Sequence, residues 1–440
     1  MQATKKVNSH LSIGVDEKIS WQKSLILGLQ HVLAMDVYVP PFLIAVAVGM
    51  SGHNSAALIQ STFLGAGIAS LIQVLFFLKL PVCQGPSFVP VGALAGIIIA
   101  DGGKLDTAMG ASLVGAIIVT LLGFSGLYKH IVKKFVPPLV SGTIIVIVGL
   151  TLLPTAFTSN IFVSSKALSM QQNVVLAIIT AAVMIFFSMI GVYFANWGKI
   201  FRISSVIIAL VIGSIIAYFM GGLDLTTVNE TSFLSLPNFA FLNYGLKFNL
   251  SAIITMLVIY LVLLAETTGT WYAVSAVIEE PLSDQQVNQG VIGEGLGCLA
   301  ASLMGATPLT GYSTNAGVIS ITGVASRRVF VGASFVFIAL AFLGKLSALI
   351  NAVPTAVIGG VFAVVCVVIM LSGFRVIKNE SLSERQVYII GVPLICAVGL
   401  LFAPDQLTKN APELVKYLLD SPIAVSALVA IVMNKLLPEK

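Results

Sequence analysis

Apolar residues run along this chain in long, nearly unbroken stretches separated by short polar connections. Fourteen such stretches lie near 24–48, 56–78, 82–100, 107–127, 132–153, 172–194, 203–220, 250–274, 288–304, 306–324, 328–350, 354–374, 386–403 and 420–436. At about twenty residues each they have the length a helix needs to cross a bilayer, and they lack the roughly ten-residue alternation of a membrane barrel. The pattern predicts an all-α polytopic membrane protein with 14 transmembrane segments. An even count places both chain ends on one side.

Two stretches carry helix breakers where a span should begin: Gln84-Gly-Pro86-Ser-Phe88-Val-Pro90 in the third, and Ala306-Thr-Pro-Leu-Thr-Gly-Tyr-Ser-Thr-Asn315-Ala-Gly317 in the tenth. Non-helical backbone at membrane depth is tolerated only inside protein or along a wet cavity. The extended pieces 84–88 and 306–310 are expected to pair as two short antiparallel strands, each followed by a half-helix, from about Val89 and about Ser313. Ser313, Thr314 and Asn315 are N-cap types. Two half-helix N-termini would aim free N–H groups and positive dipole ends at one central site. Phe88 beside it offers a flat apolar face, which suits a planar, hydrogen-bonding solute of neutral or anionic character.

The broken segments belong to a longer repeat. Val136-Pro-Pro-Leu-Val140-Ser-Gly142 opens the fifth stretch and Val353-Pro-Thr-Ala-Val357-Ile-Gly359 the twelfth, at an offset of 217 residues. Seven spans per half is an odd number, so the halves must have opposite orientation. A 7+7 inverted repeat is an architecture of secondary transporters.

Composition removes the soluble classes: 58% of the residues are hydrophobic and 9% charged, against about 25% charged in a soluble domain. The net charge of +5 therefore speaks to membrane orientation and not to nucleic acid. With the N-terminus inside, 17 of the 23 Lys and Arg, including every Arg, fall on the inner side. Both termini are thus expected to be cytoplasmic, in the cell membrane. Residues 1–23 form a polar tail without the apolar core of a signal peptide. The four cysteines form no CxxC or Cys/His cluster, so neither a metal site nor a disulfide framework is expected.

Three of the eighteen acidic residues fall inside the stretches away from their ends: Asp36, Glu266 and Glu294. An ionised carboxylate in hydrocarbon costs several kcal/mol, so such groups face a cavity or a partner. Glu266, in Leu-Leu-Ala-Glu-Thr-Thr-Gly-Thr-Trp, is the leading candidate to hold a substrate N–H or to exchange a proton as access alternates. Glu294 lies among Gly290, Gly293, Gly295 and Gly297, where helices pack closely. It is positioned to cap the broken tenth stretch or to join a proton relay. Asp36 follows Gln30-His31-Val-Leu-Ala-Met35 and is turned away from the helix face that His31 and Met35 share. His31 reads as a helix–helix hydrogen-bonding group before a proton carrier.

Four pieces of this chain resemble the nucleobase–ascorbate transporter family, the uracil/xanthine permeases. They are Gln30-His31-Val-Leu-Ala-Met35, Gln84-Gly-Pro-Ser-Phe-Val-Pro90, Ala265-Glu-Thr-Thr-Gly269, and Pro308 to Gly317 continued through Thr322-Gly-Val-Ala-Ser-Arg327. The resemblance implies a core of spans 1–4 and 8–11 (24–130 and 250–350) and a gate of spans 5–7 and 12–14 (131–249 and 351–440), with 1–23 as a tail. It implies proton-coupled uptake of a nucleobase, no cofactor beyond the proton gradient, and a homodimer through the gate. The base would lie between Phe88, Glu266 and the start of the tenth span at Ser313, Thr314 and Asn315, with Gln30 and His31 in support. Three positions depart from the family pattern: Thr314 stands where a glutamate or glutamine grips the base, Thr270 where a histidine or aspartate follows the acid, and Asp36 where an aromatic or apolar residue is common. The motifs lean toward the xanthine and urate branch. A uracil permease and an anion carrier of the same fold are the alternatives. An intramembrane enzyme is disfavoured, since no Ser/His/Asp set, HExxH or facing aspartate pair is found.

Overall fold

The computed structural model describes residues 11–50, 52–128, 134–164, 167–194, 198–378, 380, 383–404, 411–419 and 421–438. Residues 1–10 of the tail, and Lys129, Lys133, Lys166, Lys409 and Lys440 of the charge pattern, lie outside them.

The first apolar stretch forms two helices, α1 (Trp21–Leu33) and α2 (Val39–Ala47), and not one continuous helix. The break covers Ala34 to Tyr38 and contains Asp36. Pro40 and Pro41 sit in the first turn of α2, where a missing N–H costs nothing. Met35 is therefore past the end of α1, and the helix face expected to join it to His31 does not exist. Met35 packs against Gly85 instead.

After α3 (Gly52–Leu71) and a wider π turn, Ile72–Phe76, comes β1 (Gln84–Pro86) and the half-helix α4 (Val91–Ala100). Next are α5 (Asp106–Ser125), α6 (Pro138–Pro154) with its π turn Thr155–Ile161, α7 (Met170–Tyr193), α8 (Gly198–Phe219) and the short α9 (Thr226–Glu230). The second half holds α10 (Leu250–Ile278), α11 (Asp284–Leu303), β2 (Leu309–Gly311), α12 (Thr314–Thr322), α13 (Arg327–Ala341), α14 (Gly344–Ala352), α15 (Thr355–Ile377), α16 (Glu384–Leu401), α17 (Glu413–Leu419) and α18 (Pro422–Leu436). Among the described residues, seven helices are long and apolar enough to cross a membrane, or eight if α13 and α14 count as one span.

That pair covers the stretch 328–350 and bends by 80° at its middle. The carbonyls at the bend are taken from outside: Ser235 N–H donates to Phe342 O at 3.0 Å and Gln60 Nε2 to Ala341 O at 2.8 Å. Helix-end carbonyls so satisfied need no further turn.

β1 and β2 pair antiparallel, with Gln84 opposite Gly311, Gly85 opposite Thr310 and Pro86 opposite Leu309. Ser87 N to Pro308 O (3.0 Å) and Tyr312 N to Cys83 O (3.1 Å) extend the ladder. The ribbon satisfies the backbone of two segments that Pro and Gly keep from being helical.

The helices fall into two packing groups. α1, α3, α5, α11 and α13 pack with one another around the ribbon, and α6, α7, α8, α15, α16 and α18 form the other group. α10 touches both, meeting α5 and β2 on one side and α6, α17 and α18 on the other. The central crossing of the second group is built on small residues: Gly142 faces Gly373, Gly149 faces Cys366, and Gly359 faces Ala156. A Cβ on Gly149 would stand 2.5 Å from Cys366 O, so only glycine permits this approach. In the first group α11 crosses α3 with Gly297 on Ala69 and Gln73 Nε2 donating to Gly290 O at 2.8 Å. Only 28% of the apolar window of α7 and 17% of that of α16 is buried. Their outer faces (Ile178, Phe186, Tyr388 and Ile395 among them) are exposed and apolar, as a lipid-facing surface is.

Candidate functional site

Glu266 lies midway along α10, half-buried, and its Oε2 accepts a hydrogen bond from Ser87 Oγ at 2.7 Å. Ser87 directly follows β1, so the ribbon brings the acid and the broken third segment together. A narrow crevice lies beside Glu266, between the two packing groups. Val89, Val262 and Ala265 line it from one side, and Ile144, Val148 and Ile369 from α6 and α15. Glu266 and Ser141 are its polar residues.

Phe88 is buried in the turn before α4 and stacks on Phe362 of α15, with centroids 5.9 Å apart and planes 17° apart. One face of the expected stacking ring thus meets a second aromatic from the opposite group.

The start of α12 divides its residues. Ser313 and Thr314 are exposed, whereas Asn315 is fully buried. None of the three caps the helix by its side chain as expected: Ser313 holds the N-cap position with φ −65° and ψ −22° and makes no capping bond. A capping side chain needs an extended backbone at that position. Asn315 instead reaches back. Its Oδ1 accepts from Cys83 N–H at 2.8 Å and its Nδ2 lies 3.3 Å from His31 Nδ1. A backbone N–H can only donate, so Oδ1 is the acceptor and Nδ2 the donor. His31 Nδ1 is then an acceptor, and the ring carries its hydrogen on Nε2. His31 is buried with its ring 4.4 Å from that of Phe330. Gln30, one residue earlier on α1, is half-buried, and none of the described side-chain hydrogen bonds carries it into the site. Asp36 lies half-buried in the break between α1 and α2, where its carbonyl accepts from Val39 N–H.

A second polar chain lies behind the ribbon. Gly311 N–H donates to Thr267 Oγ1 (2.9 Å), Thr267 donates to Glu294 Oε2 (3.2 Å), and Gln73 Nε2 donates to the same oxygen (3.2 Å). Thr270 Oγ1 donates to Gly311 O at 3.0 Å. Glu294 therefore braces β2 through Thr267 and does not cap α12. Thr270 is spent on the same strand. Thr267 and Gln73 were not singled out by sequence reasoning, although an amide in the apolar run Ile72-Gln73-Val74 is the kind of signal that marks a buried polar partner. Ser87, Ser141 and Phe362 were also missed, since a serine or phenylalanine in a membrane helix is unremarked until its neighbour is known.

No group of three or more His, Cys, Asp or Glu side chains suited to a metal occurs among the described residues. The arrangement places a carboxylate, held at one oxygen by Ser87, at the junction of the two helix groups, with the Phe88–Phe362 stack close by in sequence.

Residues 22–406 match the model of the xanthine/uracil permeases, described as Permease family. A protein of Clostridium perfringens named as a purine permease is 31% identical over 447 residues, covering 100% of this chain and 95% of that protein. The xanthine permease XanP of Escherichia coli is 29% identical, covering 98% and 95%. The uric acid permease PucK of Bacillus subtilis is 29% identical, covering 93% and 94%. Among solved structures, the transmembrane domain of the cyanobacterial bicarbonate transporter BicA superposes with a TM-score of 0.60 at 15% identity, covering 95% of this chain and 99% of that one.

Proposed function

This chain belongs to the nucleobase–ascorbate transporter family, and on that premise we propose that it carries an oxidised purine such as xanthine or urate into the cell together with a proton. The observation that carries the proposal is Glu266: a carboxylate at a crevice between two helix groups, with one oxygen held by Ser87. The base lies against Phe88 and presents its N–H groups to Glu266. The exposed start of α12, Ser313 and Thr314, provides the opposite edge. Asn315, His31 and Glu294 hold these elements in place, and Gln30, Asp36 and Thr270 support them. Purine, xanthine and uric acid permeases among the relatives favour this branch over uracil.

The same reading makes the ribbon-bearing group a core and the α6–α15 group a gate, so that sliding of one past the other opens Glu266 to each side in turn. Fourteen spans in an inverted 7+7 repeat accord with two contacts. Gly149 meets Cys366, and Gln73 bonds Gly290. Both pairs are 217 residues apart, the offset of the Val-Pro motifs. Positions equivalent under a two-fold meet each other on its axis, and both antiparallel crossings do so at one offset. Both termini are placed in the cytoplasm and the chain in the cell membrane. No cofactor beyond the proton gradient is involved, and the gate helices α7 and α16 offer their apolar faces to lipid or to a second copy.

The deciding experiment is uptake of radiolabelled xanthine, urate, uracil, adenine and guanine into cells making the chain, with and without a protonophore. Uptake of one purine that collapses with the proton gradient, and is abolished in a membrane-resident Glu266→Gln variant, is expected. Undiminished pH-dependent uptake by that variant would overturn the role of Glu266. No uptake of any base would favour an anion carrier, which the likeness of fold to the bicarbonate transporter keeps in view.

A further inference from the structure

The motif Thr322-Gly-Val-Ala-Ser-Arg327, which follows the half-helix α12, takes no part in the crevice. Its partners lie more than 300 residues away, at the start of the chain. Gly323 ends α12 with a left-handed φ of +69°, a conformation glycine adopts freely. That turn presents its carbonyl outward, where Ser12 N (2.8 Å), Ile13 N (3.1 Å) and Ser12 Oγ (3.0 Å) all donate to it. The strand-like pairing continues, with Ala325 N to Ile13 O and Arg327 N to Val15 O, both 2.9 Å. Ser326, fully buried, donates its hydroxyl to Glu17 O and accepts from Arg328 N. The Arg327 guanidinium pairs with Asp16 at 2.6 Å, and that of Arg328 lies 4.3 Å above the Trp21 ring. Ile13 and Val15 are buried, so the strap is part of the core and not a loose tail.

The same N-terminal piece also reaches the other end of α12. The chain runs from the strap into α1, whose His31 meets Asn315 in the first turn of α12. Between them α1 is locked onto α13: a Cβ on Gly28 would stand 2.4 Å from Ala333 N, and one on Gly332 2.5 Å from Ser24 O. A helix of nine residues is too short to be stable by itself. We infer that residues 12–31 act as a splint that grips α12 at both ends, and that the strap of Ser12 to Glu17 against Gly323 to Arg327 fixes the position of Ser313 and Thr314 at the start of α12. The backbone bonds and Ser326 do most of this, because the Asp16–Arg327 pair is substantially exposed and such pairs contribute little. The strap residues are positioning residues; none touches the crevice. Its consequence for uptake rests on the reading of α12 as an edge of the base site, but the splint itself does not.

The test is hydrogen–deuterium exchange of the amides of 314–322 in the purified full-length chain, read beside uptake kinetics. Ile13→Pro removes one strap donor, and Ser326→Ala removes the buried hydroxyl. Each is expected to speed exchange in α12 by about fivefold, the effect of one ordinary hydrogen bond. Each should raise KM with Vmax little changed, while Ser326→Thr, which keeps the hydroxyl, stays near the parent. Unchanged α12 exchange in both Ile13→Pro and Ser326→Ala would overturn the splint. Exchange needs no substrate, so this result stands whether or not a purine is carried.

Discussion

Ser87 and Glu266 share one short hydrogen bond, and most of the proposed chemistry depends on it. A bond to a charged acceptor is worth about 1.5–3 kcal/mol. Ser87→Ala is therefore expected to raise KM for the base by about tenfold or more, read from initial uptake rates. Thr314, at the exposed start of α12, is too short to reach as a glutamate or glutamine would. Thr314→Gln should change the order in which unlabelled bases compete for uptake, and an unchanged order would remove it from the site. Asn315 works inward. Asn315→Leu strips the acceptor from Cys83 N–H and the donor from His31, leaving a buried N–H unpaired at a cost of about 1–3 kcal/mol. The expected outcome is a lower melting temperature in detergent, measurable without any substrate.

The α6–α15 crossing tolerates no side chain at its centre. Gly149→Leu drives atoms into Cys366 O and Met370, and overpacking of this kind costs about 1–3 kcal/mol. It should lower both the yield of folded protein and its melting temperature, whereas the same change at Gly391, where a Cβ meets nothing within 4 Å, should not. A weaker fastening joins the end of α4 to the segment before α10. There Lys247 Nζ donates to Asp101 Oδ1 at 2.8 Å and Thr107 to its other oxygen at 2.7 Å. The Lys247 hydrogen bond, aided by Thr107, holds the Asp101 carboxyl down at about 2. A group depressed on folding contributes above its unfolded value of about 3.9 and loses that contribution as pH falls through its folded value. The difference in melting temperature between Lys247→Gln and the parent should be present at pH 7 and shrink below about pH 4. Because the pair is exposed, its size should stay within about 1 kcal/mol.

Among the described residues the molecule is two helix groups that meet along α10, with Glu266 and the ribbon at that seam. On the proposed orientation the strap faces the cytoplasm. A cysteine at Lys18 should thus react with a membrane-impermeant maleimide only after cells are opened, and one at Lys345 before.

Hydrocarbon penalises every unpaired polar group, and for that reason the sequence by itself determined where the apolar segments lie, which two are broken, and which acids had to be explained. Those are local signals: a carboxylate in an apolar run, or a proline where a helix should start. Only the tertiary structure decided what each polar group is paired with. Asn315 turned inward to His31, Phe88 met Phe362, Glu294 braced β2 through Thr267, and the tail became a strap on Gly323. The bend after Ala341 came from the same source, as the backbone carbonyls there are satisfied by neighbours distant in sequence. The partner of a buried group is set by which helices pack side by side, and apolar surfaces of nearly uniform composition do not record that choice along the chain.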